Sequence, residues 1–130
     1  MRVTSSDGAA STPVTGLMAS GVRQFTVTLN TVGSQTLTAA DLTNGSITGM
    51  TSAPIAVIPA LADHFNIQTI SGPLTAGTPS TVTINAVDVH WNRVTGGSAD
   101  RSVGVLSDQL YAVIPASLAL ANGTGPMTIT

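Results

Sequence analysis

Apolar residues alternate with polar ones over several short stretches of the chain. In residues 23–30, RQFTVTLN, Phe25, Val27 and Leu29 share one face while Gln24, Thr26 and Thr28 share the other. In residues 81–89, TVTINAVDV, Val82, Ile84 and Ala86 alternate in the same way with Thr81, Thr83 and Asn85. A period of two predicts half-buried strands. The turn Thr31-Val32-Gly33-Ser34 joins 23–30 to a second strand at 35–39, which predicts a hairpin. Residues 41–52, rich in Thr, Asn, Gly and Ser, read as loop. Further strands are expected at 55–58, at 64–70 with Phe65 and Ile67 inward, at 102–106 and at 127–130. Seven to nine short strands separated by turn residues predict an all-β, two-sheet antiparallel sandwich. Phe25, Val27, Phe65, Ile67, Val82 and Ile84 are expected to share its core.

Composition supports this reading. All four basic residues are arginine, all six acidic residues are aspartate, and Lys and Glu are absent. Helices ordinarily cover their solvent face with Lys and Glu, so no long amphipathic helix is expected. Twenty Thr and thirteen Ser supply instead the polar partners of half-buried strands. The absence of Cys excludes disulfides, thiolate metal sites and thiol catalysis, and the absence of Lys excludes Lys–Asn isopeptide staples. A net charge of −2 without a basic cluster excludes a nucleic-acid surface. No apolar run reaches the roughly 18 residues of a membrane helix. Met1 is not followed by a charged-then-apolar leader.

The ends of the chain resemble each other. Laid over residues 103–130 without a gap, residues 1–28 match at Val3/Val105, Ser5/Ser107, Ala10/Ala112, Pro13/Pro115, Ala19/Ala121, Gly21/Gly123, Thr26/Thr128 and Thr28/Thr130. The offset of 102 is close to the ~100 residues of an immunoglobulin-type sandwich.

The segments FTVTLNTVGSQTLTAAD (25–41), SITGMTSAPIAVIPA (46–60), ADHFNIQ (62–68), LTAGTPSTVTINAVD (74–88) and NRVTG (92–96) resemble bacterial immunoglobulin-like repeats of the invasin and intimin type. Such repeats stand in tandem in large surface and extracellular proteins. The resemblance covers nearly the whole chain in permuted order. It implies an immunoglobulin-like two-sheet antiparallel β-sandwich in which residues 1–52 are the C-terminal half of one repeat and residues 53–130 the N-terminal half of the next. It also implies an extracellular or cell-surface location and allows a calcium ion at a domain junction, with Asp41 or Asp63 contributing. Family members carry Gly before the Asn that ends the long strand; this chain has Trp91 before Asn92.

Candidate chemistry is sparse. No nucleophile elbow, zinc-protease or phosphate-loop motif occurs, and no catalytic residue or cofactor is expected. His64 follows Asp63, and His90 lies two residues after Asp88. Asp88, His90 and Asn92 alternate along a strand end. Asp88 and Asn92 are therefore calcium candidates, against a reading in which they satisfy loop backbone by Asx-type hydrogen bonds. Trp91 and Tyr111 are the aromatics left for ligand contact, a glycan being the partner aromatic platforms suit. The sequons at Asn44 and Asn122 read as turns.

The expected function is a non-catalytic structural module of a bacterial extracellular stalk, adhesin or filament. Its partners are copies of itself, joined end to end by strand complementation through Phe25, Val27, Leu29, Leu37, Met127 and Ile129. In that scheme residues 23–40 of one copy complete the sandwich of the next. The alternatives are a carbohydrate- or surface-recognition module and a phage decoration domain.

Overall fold

The computed structural model describes all 130 residues. It is all-β, with antiparallel pairing throughout and no helix. Two compact units, Met1–Ile58 and Pro59–Thr130, divide the chain after Ile58; the sequence reading placed the division after residue 52.

In the first unit, β1 (Arg2–Ser5) lies between β2 (Val14–Thr15) and β4 (Leu37–Ala40), with β5 (Met50–Thr51) beyond β4. A separate pair joins β3 (Gly33–Gln35) to β6 (Ile55–Val57). Val3 is the one apolar side chain buried here, beside the buried polar Asp7 and Gln35. A 58-residue unit with so little core is marginal by itself.

In the second unit, β8 (Ser80–Val87) is the centre of a sheet ordered β11-β8-β7, with β7 (His64–Ile67) and β11 (Thr124–Ile129) as its edges. Pro126 is accommodated because β11 has a neighbour on one side only. Val82, Ile84 and Met127 of this sheet pack against Val103 of β9 (Ser102–Gly104) and Leu120, which follows β10 (Ser117–Ala119). Ala86, Val94 and Ala99 complete the cluster.

Several expectations are corrected. Residues 23–30 form no strand, and no hairpin links them to 35–39. Phe25, Val27 and Leu29 are half-buried while Gln24, Thr26 and Thr28 are exposed, and the backbone bond from the Ser11 N–H to the Thr28 carbonyl does not extend into a ladder. The predicted second strand is divided instead between β3 and β4, which pair with β6 and with β1 and β5. The expected loop 41–52 contains β5.

Phe65 and Ile67 are 43% and 59% exposed, not buried. Their register, Phe65↔Ala86 and Ile67↔Ile84, does place them on the core face, because directly opposed residues share a face. Val103 of β9 and Leu118 of β10 join the cluster formed with β8 and β11, and no β7 side chain belongs to it.

Candidate functional site

The end of β8 turns tightly over residues 88–92. The Asp88 N–H donates to the Asn92 carbonyl (2.9 Å) and the Trp91 N–H to the Asp88 carbonyl (2.9 Å). Trp91 takes the left-handed conformation (φ 67°) that glycine adopts freely, so the turn forms with Trp where the resembling repeats have Gly. Asp88 is buried. Its Oδ1 accepts from the N–H groups of His90 and Asn92 (2.9 Å each), and its Oδ2 from the Ala60 N–H and Asn92 Nδ2 (3.0 Å each). Burial pushes the carboxyl pKa up, but the hydrogen bonds from the Asn92 side chain and from the Asn92, Ala60 and His90 backbones outweigh it and hold the group at about 2. With both oxygens engaged by N–H donors and Asn92 presenting its amide nitrogen, the pair acts as a loop staple.

Trp91 is 63% exposed and meets His64 edge-on, with ring centroids 4.3 Å apart. His64 Nδ1 lies 2.8 Å from Asp63 Oδ2. Tyr111 is 91% exposed in the segment between β9 and β10. The aromatic partner of Trp91 is thus His64 rather than Tyr111. His90 engages Asp88 through its backbone.

In the first unit, Asp7 performs a similar stapling task, and sequence reading missed it. Its carboxylate accepts from the Thr31 hydroxyl (2.6 Å) and the N–H groups of Thr31, Ala9 and Asn30, which hold its pKa well below the ordinary carboxylate range. The Ser-Asp-Gly run at 6–8 was the available signal. Asp41 is held at about 2 by the backbone N–H groups of Thr43 and Asn44 and by the Thr43 hydroxyl.

The candidate assembly residues divide between paired and unpaired backbone. Met127 is buried and Ile129 half-buried in β11, against β8. Leu37 pairs with Ser5 in β4. Phe25, Val27 and Leu29 stand on the extended segment without a ladder.

Two segments 102 residues apart share one backbone design. Arg2↔Thr15 corresponds to Gly104↔Ser117, and the bridge Ala19↔Val22 to Ala121↔Thr124. The left-handed Ser20-Gly21 corresponds to Asn122-Gly123. The Ser11 N–H to Thr28 carbonyl bond corresponds to that from Val113 to Thr130, and the Ala10 N–H to Asp7 carbonyl bond to that from Ala112 to Gln109.

The surroundings of the two segments differ. In the first unit β1 is flanked by β2 and β4; in the second, β9 has β10 as its single neighbour. Just beyond that open edge Leu106 is 97% exposed. It lines an apolar groove of about 760 Å³ with Leu74, Ala112, Ile114 and Ile129. Conversely, residues 124–129 are a strand because β8 lies beside them, whereas their counterparts at 22–27 have no such neighbour. Each unit exposes an edge that its counterpart has filled.

Compared with known protein families, with curated proteins and with solved structures, the chain matches none.

Proposed function

We propose that this chain is a non-catalytic structural module of the bacterial immunoglobulin-like repeat type, working in an extracellular or cell-surface stalk, adhesin or filament. It joins copies of itself end to end through strand complementation, without a cofactor. The observation that carries this reading is the recurrence of one backbone design at an offset of 102 residues, with a different neighbouring strand missing at each occurrence. Accessible area supports it as well. The chain exposes 8755 Å², whereas two separate compact units of about its residue shares would expose about 7,600 Å². Low charge helps, since few ionic groups need to be desolvated when such surfaces meet.

Light scattering and negative-stain microscopy of the purified chain test the proposal. Polydisperse oligomers or unbranched fibres that grow with concentration are expected. A sharp monomer peak across a wide concentration range would overturn it.

A second reading, glycan contact at Trp91, draws on a large aromatic surface held in solvent despite an unfavourable backbone conformation. Glycan-array binding lost in Trp91→Ala would favour it.

A further inference from the structure

The open edge in the second unit has a definite missing partner. Under the 102-residue correspondence, residues 104–107 occupy the place of β1, Arg2–Ser5. In the first unit the side of β1 away from β2 holds β4, in the register Arg2↔Ala40, Val3↔Ala39, Thr4↔Thr38 and Ser5↔Leu37. We propose that the edge formed by residues 104–107 receives β4 (Leu37–Ala40) of a second copy in the register Gly104↔Ala40, Val105↔Ala39, Leu106↔Thr38 and Ser107↔Leu37. This rests on the assembly reading above and specifies its contact.

Four observations favour this occupant. The strand that fills the equivalent place is carried by the chain itself, together with β5, which pairs with it at Thr38↔Thr51 and Ala39↔Met50. Ala39, Ala40 and Met50 line a groove with Met1 and Met18, whose counterparts in the second unit, Val103 and Leu120, are buried members of its core, so β4 beside residues 104–107 would extend that apolar layer. Within one chain the edge is not closed: β4 is held by β1, and β9 pairs with β10 alone. The surplus of about 1,100 Å² of accessible surface is of the order that a specific interface of about 1,200–2,000 Å² removes.

The contact is an exchange. β4 leaves the β1 of its own copy and takes the equivalent residues 104–107 of a neighbour, and the displaced residues 1–22 become the free arm. Backbone hydrogen bonds are conserved in kind, and the contact is heterologous, so it propagates into a filament unless its rotation closes a ring.

A chain without cysteine allows the register to be read directly. Leu106→Cys and Thr38→Cys, introduced separately and mixed in equal amounts, place two thiols on directly opposed positions, within disulfide reach. Gly104→Cys mixed with Ala40→Cys is an independent pair; Gly104 has open space where a side chain would project. After mild oxidation, non-reducing gels are expected to show mixed dimers in both pairs, at roughly five-fold or more the yield from Leu106→Cys with Ala39→Cys, whose thiols point to opposite faces.

The double variant Thr4→Cys/Thr38→Cys, oxidised within the chain, holds β4 on its own β1 and is expected to block assembly. Equal dimer yields from matched and mismatched pairs would overturn the proposal. So would a Leu106→Cys/Thr38→Cys double variant that closes only within one chain, or assembly that persists in the locked variant. Fibres without the matched cross-link would refute this register while leaving the assembly reading standing, whereas a monomer with no cross-link would refute both.

Discussion

Gly21 and Gly123 occupy corresponding places in the two units, with φ of 78° and 69°, so alanine at either pays the left-handed cost of about 1–2 kcal/mol. Their surroundings differ. A Cβ at Gly21 meets nothing within 4 Å, whereas at Gly123 it would collide with the Val94 carbonyl oxygen and stand 2.9 Å from Ala99 Cβ. The obstruction is backbone, which no side-chain rotation relieves. The Gly123 carbonyl also accepts from the Ala86 N–H (2.8 Å), which ties the turn to the buried end of β8. Displacing the turn strains that bond and opens the core around Val94 and Ala99, adding about 1–3 kcal/mol to the conformational cost. Gly123→Ala is therefore expected to lose about 2–5 kcal/mol in all, against about 1–2 kcal/mol for Gly21→Ala. Urea denaturation followed by fluorescence suits the first variant, because Trp91, the single tryptophan, lies in the second unit. At an m-value of about 1.5 kcal/mol/M, the midpoint for Gly123→Ala falls by about 1 M or more. Far-UV circular dichroism follows Gly21→Ala. Equal losses in the two variants would refute the claim that Gly123, unlike Gly21, is packed against its neighbours.

Ile84→Ala, in the buried centre of β8, is expected to cost about 2–5 kcal/mol, whereas Phe65→Ala on the half-open edge costs about 1 kcal/mol or less in the monomer; similar losses by denaturation would contradict the exposure of β7. Asp41 and Asp88 have folded pKa values of about 2 against the ordinary 3.8, so the stability they contribute is complete above about pH 4 and lost as pH falls through about 2. The melting temperature should therefore hold from neutral pH to about pH 4 and then fall. Asp88→Asn should show a lower plateau and a shallower acid slope, and an unchanged slope would refute its role. Because N–H donors engage both Asp88 oxygens, EDTA should leave the melting temperature unchanged; a drop reversed by calcium would make Asp88 and Asn92 ligands.

Local chemistry made part of this structure legible in the sequence. Alternation gave the apolar face of β8, since a pleated backbone sends Val82, Ile84 and Ala86 to one side wherever the strand is placed, whereas the burial of Asn85 and Val87 on the other face was not legible. The Asp88–Asn92 turn was legible for a similar reason: a carboxylate two and four residues before turn N–H groups satisfies them within a few ångströms of chain. The shared offset of the termini was visible because it is a property of the residue order alone. All three are decided within a few residues of backbone or by direct comparison of the string.

Pairing is different, because a ladder needs a second backbone and the residues that supply it are distant in the chain. Residues 23–30 have the alternation of a strand as clearly as β11 does, yet only β11 has β8 beside it. Phe65 is on the face the pattern gave it, but burial of that face depended on how far β9 and β10 extend across the sheet. The open edge at 104–107 has no composition signal at all. It is the absence of a neighbour that β1, with an equivalent fold, possesses. Sequence thus determined which surfaces each strand offers, and tertiary structure alone decided which were taken, because a hydrogen-bonded edge is a property of two chain segments and never of one.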